Sequence, residues 1–292
     1  MASERSSVPP EHTFGVCGYP LGQSLSPALH TWAFARTGIA AAYTSWETPP
    51  AELPAFVTAF RKRPYGGASV TIPHKQNIVA FLDGVTDTAT SIGAVNTLFW
   101  KNDALFGHNT DMEGFLAPLA AEALPAAALI LGAGGAARAV LAGLAHLGIS
   151  RVILAARTTE KAEQLARDYC ARFASLSVIA WEDRENIPAA VEGGLWVVNT
   201  TPLGMRGKAE GLSPLSGAAF ARARDAGACL AYDLVYNPLR TAFLDAAMKA
   251  GWTVRDGLDM FVAQGAAQFR LWTGQDMPVR DARAFLLTHL EP

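Results

Sequence analysis

The chain has 292 residues, half of them hydrophobic and 17% charged, with a formal net charge of −2 and a pI near 6.3. That length suits two domains better than one core, and the apolar content suits a soluble globular protein. A near-neutral chain without a basic stripe argues against nucleic acid or an anionic membrane surface as a partner.

The first residues, MASERSSVPPEHT, are polar and lack the apolar stretch of a signal peptide, so residues 1–12 read as a loose tail. No run approaches the roughly 18 apolar residues of a membrane span. Cys17, Cys170 and Cys229 are scattered without CxxC spacing, which reads as reduced core thiols in a cytoplasmic protein. From residue 13, TFGVCGYP reads as a strand, SPALHTWAFARTG as a helix with an early proline and a terminal glycine, and AAYTSWET as a strand. AELPAFVTAFRKRPYGG reads as a helix stopped at Gly66-Gly67, GASVTI as a strand and KQNIVAFLD as a helix. AVNTLFWKNDALFGHNT predicts a hairpin turning at Asn102-Asp103. TDMEGFLAPLAA predicts a helix with Thr110 or Asp111 at its cap. This β-α-β-α-β-α order predicts a mostly parallel sheet covered by helices.

APLAAEALP reads as a connector, and a second α/β block begins near residue 126. AAALILGAGGAARAVLAGLAHLG is strand, glycine turn and helix; SRVILAARTTEKAEQLARDYCARF is strand and helix. LWVVNTTPLGM and ACLAYDLVYNP are strands that run into polar turns. LRTAFLDAAMKAG is a helix, WTVRDG a short strand and LDMFVAQGAAQFRLWTG a long amphipathic helix. The expected fold is therefore α/β with two domains, a substrate-binding one and a Rossmann-like dinucleotide-binding one.

Gly132, Ala133, Gly134, Gly135 and Ala136 carry the second expectation: with Ala137 they form a GxGxxA turn between an apolar strand and a helix. Glycine permits the tight turn and the close approach of a pyrophosphate, which the helix N-terminus then binds. An NAD site usually places a carboxylate at the end of the next strand. Here Arg157, Thr158 and Lys161 occupy that end, and two cations and a hydroxyl suit the 2′-phosphate of NADP. The same two cations also fit a solvated helix start.

In the first block, polar groups gather where strands end, the place where open α/β sheets bind ligands. They are Ser24 and Ser26, Ser69 and Thr71, Lys75, Asn96 and Thr97, and Asn109 to Asp111. Ser26 fits an N-cap before Pro27 as well as a ligand contact. Lys75 fits a surface lysine as well as a proton carrier. His74 and His108 read as structural, and no His, Cys or Glu spacing suits a metal. A lysine near a carboxylate, partly removed from water, can exchange the proton of an alcohol during hydride transfer, which makes Lys75 and Asp111 the candidate catalytic pair.

Eight motifs, SLSP, VTIPHK, GAVNT, NTDMEG, GAGGAARA, NTTPLGM, DLVYNPLRTAFL and GLDMFVAQGAAQFRLWTG, follow in order between residues 24 and 274, within a likeness that runs over roughly residues 13–290. With them the chain resembles the shikimate dehydrogenase family. The resemblance implies reversible NADPH-dependent reduction of 3-dehydroshikimate to shikimate, a step of the chorismate route to aromatic amino acids. It implies Lys75 and Asp111 as catalytic. It puts the substrate carboxylate on Ser24 and Ser26 near Tyr236, and the ring hydroxyls on Thr71, Lys75, Asn96, Asp111 and Gln264. The nicotinamide end falls on Leu234, Gly257 and Met260, and the loop from Asn199 to Met205, with Thr200, Thr201 and Leu203, falls in the cofactor cleft. Asp87 matches a cofactor-associated position; its residue type alone supports a helix-capping role.

The implied division is a tail at 1–12, a substrate domain at 13–118, an NADP domain at 119–255 and C-terminal helices at 256–292 that return to the first domain. A monomer and a homodimer both fit. Three positions depart from the family pattern: Gln23 before Ser24, Ser69 where asparagine is frequent, and Ala156 before Arg157. They bear on ring-hydroxyl and adenosine contacts. The alternative is therefore a paralogue acting on quinate or amino-shikimate, with NAD as its cofactor. A third reading, a metabolite-binding regulator of the same fold, is disfavoured by the presence of both Lys75 and Asp111.

Overall fold

A strand buried on both faces reads as a near-continuous apolar run, and Ala127–Leu131 and Leu195–Asn199, apolar up to the final Asn199, are buried at every position. They lie side by side at the centre of one of two sheets. The computed structural model describes residues 12–22, 24–62, 64–186, 193–223 and 229–290. Most of the expected tail (1–11) and Gln23 lie outside the described residues.

In the first half the elements are β1 (His12–Gly18), α1 (Ser26–Thr37), β2 (Ala41–Glu47), α2 (Leu53–Phe60), β3 (Tyr65–Val70), β4 (Gly84–Val85), α3 (Asp87–Ile92), β5 (Thr97–Lys101), β6 (Ala104–His108) and α4 (Asp111–Leu116). The strands form a sheet of order β2-β1-β3-β5-β6-β4. Pairings β1–β2, β1–β3 and β4–β6 are parallel, and β3–β5 and β5–β6 antiparallel. The predicted hairpin is present: Asn102 and Asp103 both take positive φ, 49° and 61°, as a tight two-residue turn requires.

The second half contains β7 (Ala127–Leu131), α5 (Gly135–His146), β8 (Arg151–Ala156), α6 (Thr159–Tyr169), β9 (Ser175–Ala180), β10 (Leu195–Asn199), α7 (Gly217–Arg222), β11 (Leu230–Asp233), α8 (Ala242–Lys249) and β12 (Thr253–Arg255). Every pairing here is parallel, in the order β12-β11-β10-β7-β8-β9. The strand order therefore reverses between β7 and β10, which is where a doubly wound sheet binds a dinucleotide. Two last helices, α9 (Leu258–Thr273) and α10 (Val279–Leu290), return to the first sheet. Leu258, Val262, Phe269 and Leu286 share a core with Phe14, Val16, Leu29 and Phe34.

Several local expectations fail for tertiary reasons. The helix expected to stop at Gly66-Gly67 ends at Phe60, and both glycines lie inside β3. A Cβ at Gly66 would meet the Phe14 ring at 2.4 Å, and one at Gly67 the Trp272 indole at 2.4 Å. They are glycines because aromatic rings cover the strand. KQNIVAFLD forms only a 3-10 turn at Asn77–Phe81. The strand β9, not expected from the sequence, is a sheet edge without a fully buried residue, so it lacks the continuous apolar run that marks the central strands. Of the cysteines only Cys17 is a core thiol, its pKa pushed up to about 11 by burial; Cys170 is exposed and Cys229 half-buried.

Candidate active site

Helix α4 and the loop after β3 meet over the edge of the first sheet. Lys75 Nζ donates to Asp111 Oδ2 at 2.5 Å. Both side chains are largely shielded, with 16% and 6% of their surface exposed. The pair forms part of the wall of a cleft of about 230 Å³.

Asn96 holds the carboxylate from the other side. Its Nδ2 donates to Asp111 Oδ1 at 2.8 Å and to Thr110 Oγ1 at 2.9 Å, while its Oδ1 accepts from the Thr110 backbone amide at 2.9 Å. Asn109 Oδ1 accepts from the Asp111 amide at 2.9 Å. Asp111 thus opens α4, and neither Thr110 nor Asp111 caps it with a side chain. Gln264 on α9 brings Oε1 to within 3.5 Å of Asn96 Nδ2. A Cβ at Gly114 would lie 2.7 Å from the Met260 carbonyl, so glycine there lets α4 and α9 approach closely enough to share the site.

The cleft gathers most of the polar residues singled out above. Ser24, Ser26, Ser69, Thr71, Lys75, Asn96, Asp111, Tyr236 and Gln264 line it, and so do Ala136, Thr200, Thr201, Met205, Leu234, Gly257 and Met260. Ser26 is not a cap: it lies within α1 and its amide donates to Ser24 Oγ at 3.3 Å. Ser69 Oγ accepts from the Tyr43 hydroxyl and donates to Gln268 Oε1, both at 2.7 Å. Its proton is committed, so it offers a ligand only a lone pair. Tyr236 stacks on Phe261 with ring centroids 4.4 Å apart, and burial pushes its hydroxyl pKa up to about 12, which keeps it a neutral donor.

The glycine turn leads to the other side, where Ala136 lines the cleft. Gly132 has φ 111°, and a Cβ there would lie 2.5 Å from Thr200 Oγ1, so β7 and β10 can end side by side only with glycine. Gly134 faces open space, with nothing within 4 Å of a Cβ built on it. Ala133, Gly134 and Gly135 therefore lead into the first turn of a twelve-residue helix without an acidic residue there. This exposed backbone with a positive helix end fits a pyrophosphate. Arg157, Thr158 and Lys161 are exposed beyond the β8 end, outside the central cleft. Leu203 does not line the cleft; its carbonyl accepts from Asn199 Nδ2 at 3.2 Å. Asp87 is exposed in the first turn of α3, away from the cleft, and the capping role expected of it belongs to Thr86, whose Oγ1 accepts from the Ala89 amide.

Two structural histidines face their own partners. His74 Nε2 lies 2.6 Å from the Thr48 carbonyl and His108 Nδ1 2.7 Å from Thr86 Oγ1.

Gln268 and Asp233 are not among the residues expected from the sequence. Gln268 lines the cleft one helical turn beyond Gln264; its signal was that i, i+4 spacing. Asp233, buried at the end of β11, accepts from Asn199 Nδ2, the Val235 amide and Thr241 Oγ1 at 2.9, 3.0 and 2.6 Å. It ties together the segments on which the Met205 loop and Leu234 sit. Burial without a cation raises its pKa to about 7 against those donors.

The substrate-binding domain model of shikimate dehydrogenase matches residues 16–98, and the shikimate 5′-dehydrogenase C-terminal domain model matches residues 257–285. A shikimate dehydrogenase (NADP(+)) of Oleidesulfovibrio alaskensis is 48% identical over 278 residues, 95% of each chain. The structure of shikimate 5-dehydrogenase from Thermus thermophilus in complex with NADP(H) and shikimate matches with a TM-score of 0.80 and 36% identity, covering 96% of this chain and 100% of that one. Quinate dehydrogenase from Corynebacterium glutamicum in complex with NAD matches with a TM-score of 0.83 at 28% identity, covering 95% and 99%.

Proposed function

The chain belongs to the shikimate dehydrogenase family, and we propose that it catalyses the reversible NADPH-dependent reduction of 3-dehydroshikimate to shikimate. The observation that carries this reading is the Lys75–Asp111 pair, held at 2.5 Å in a cleft walled by the polar loops of the first sheet and, from the second, by Ala136 just past the glycine turn and by Thr200, Thr201 and Leu234 after the strand ends.

The residues divide the work. Bound NADPH supplies the hydride that converts the ring carbonyl to an alcohol. Lys75 stands ready to give the carbonyl oxygen its proton, and in the reverse direction to take it back. Lysine can do this near neutrality where arginine would not release a proton. Asp111 holds the ammonium in place and, being held itself by Asn96, spends no reorganisation during the step. Ser24 and Ser26, with Tyr236, bind the substrate carboxylate. Thr71, Asn96 and Gln264 bind ring hydroxyls, with Ser69 accepting at most one hydrogen bond.

The backbone of Gly132 to Ala136 takes the pyrophosphate, Arg157, Thr158 and Lys161 take the 2′-phosphate, and Thr200, Thr201, Met205, Leu234, Gly257 and Met260 enclose the nicotinamide end. Residues 13–118 act as the substrate half, 119–255 as the cofactor half, and 256–292 return Gln264 to the first. We place the protein in the cytoplasm, as a monomer or homodimer serving aromatic amino acid synthesis; none of its cysteines is in a disulfide, and no described helix is long and apolar enough to cross a membrane.

The test is initial rates with shikimate or quinate and with NADP or NAD, beside Lys75→Ala. Turnover led by shikimate with NADP and lost in Lys75→Ala supports the reading. Faster turnover with quinate or NAD moves the protein to the quinate branch.

A further inference from the structure

Gln268 has no role in the mechanism above, yet it is 2% exposed, lines the cleft and has its amide filled on both sides. Its Nε2 donates to the Asn96 carbonyl at 3.1 Å and to Thr97 Oγ1 at 3.0 Å. Its Oε1 accepts from Ser69 Oγ at 2.7 Å. Thr97 Oγ1 passes the direction on, donating to Asn96 Oδ1 at 2.7 Å. Asn96 Nδ2 then donates to Asp111 Oδ1 at 2.8 Å.

The orientation of both amides is dictated by backbone groups. The Thr110 N–H can only donate, so it must face Asn96 Oδ1, which turns Asn96 Nδ2 toward Asp111. The Asn96 carbonyl can only accept, so it must face Gln268 Nε2, which turns Gln268 Oε1 toward Ser69. Neither amide can flip without facing a donor with a donor or an acceptor with an acceptor. From the Tyr43 hydroxyl through Ser69, Gln268, Thr97 and Asn96, every bond then points toward Asp111.

We infer that Gln268, acting through Thr97, is a positioning residue for the reaction: beside the Thr110 amide it adds a second constraint on Asn96 in the orientation that holds the Asp111 carboxylate against Lys75. No proton travels along this chain. Its effect is to remove the freedom of Asn96 to rotate, so that Asp111 is in place when the substrate arrives. It also accounts for the serine at 69: a short hydroxyl passes the Tyr43 donation on to Gln268. This inference rests on the proposed dehydrogenase reading.

The experiment compares steady-state kinetics of the native protein, Gln268→Met, Thr97→Val, Thr97→Ser, the Gln268→Met/Thr97→Val double variant and Lys75→Ala, with shikimate and NADP. Each relay break is expected to lower kcat about tenfold while the shikimate KM moves less than about twofold. Thr97→Ser, which keeps the hydroxyl, is expected to recover most of kcat. The double variant is expected to lose no more than the worse single one, because both break one chain. Losses that multiply, losses confined to KM, or a Thr97→Ser as impaired as Thr97→Val would mark these residues as mere packing and overturn the inference. Full activity in Gln268→Met and Thr97→Val beside a dead Lys75→Ala would overturn it while leaving the dehydrogenase reading intact. A native protein inactive on shikimate with NADP would sink both.

Discussion

Lys75 and Gly135 meet across the cleft although one follows the first sheet and the other opens the helix of the dinucleotide turn: a Cβ placed on Gly135 would stand 3.3 Å from Lys75 Cδ and 3.5 Å from its Cβ. The glycine thus makes room for the proposed proton carrier as well as for a pyrophosphate. Gly135→Ala keeps the helix amides but crowds the lysine by a few tenths of an ångström. Because small misplacements of a reacting group are costly, kcat is expected to fall roughly three- to tenfold, with a smaller change in NADP affinity. Steady-state kinetics beside a cofactor titration by fluorescence checks this; an affinity loss with kcat intact would mean that the crowding falls on the cofactor alone.

Removing the ammonium should remove most of the catalysis. Lys75→Ala is expected to lower kcat by about 10²- to 10⁴-fold, the range of general acid–base contributions. Asp111→Asn puts an amide nitrogen against either Lys75 Nζ or Asn96 Nδ2, both donors, and is expected to cost about 10²-fold or more. Single-turnover measurements at saturating substrate would separate the chemical step from binding in each variant.

Cofactor choice should rest on the exposed end of β8. Arg157→Ala is expected to raise the KM for NADP about 10- to 100-fold, the value of one or two charge-assisted hydrogen bonds to phosphate, and to leave the KM for NAD nearly unchanged. Parallel rises for both cofactors would refute a 2′-phosphate contact at Arg157.

Asp233 should shape the pH dependence of stability. Its carboxyl has a pKa near 7 in the folded protein against 3.8 ordinarily, so between those values the folded chain holds a proton that the unfolded chain has released. Stability from this group therefore falls as pH rises from about 4 to about 7 and is level above that, by roughly 2–4 kcal/mol in all. In Asp233→Asn the amide oxygen can keep the Val235 and Asn199 bonds, and the Thr241 hydroxyl can rotate to accept. The variant is expected to lose this slope, so that its Tm gains on the native protein between pH 5 and 8. Thermal melts across that range decide it; parallel Tm curves would show that Asp233 stays ionised in the fold.

Much of the site was legible in the amino-acid sequence. A glycine turn between a buried strand and a helix has one economical geometry, and Arg157 at the next strand end follows from the βαβ repeat. Lys75, Asn96 and Asp111 stand at strand ends or at the start of a helix, where an open sheet presents its ligands. These features are local: each depends on residues within a turn or a strand of one another, which is the range over which periodicity and backbone preference act.

What the tertiary structure decided is everything that depends on residues far apart in the chain. Gly66 and Gly67 looked like a helix stop, but the rings of Phe14 and Trp272 make them strand residues. Ser69 looked like a free ligand hydroxyl, but Tyr43 and Gln268 occupy it. Gln268, on a helix near the end of the chain, reaches Asn96 and Thr97 some 170 residues earlier. Hydrogen bonds and excluded volume act over a few ångströms of space whatever the separation in sequence, so only the folded arrangement of α9 over the first sheet could assign these roles.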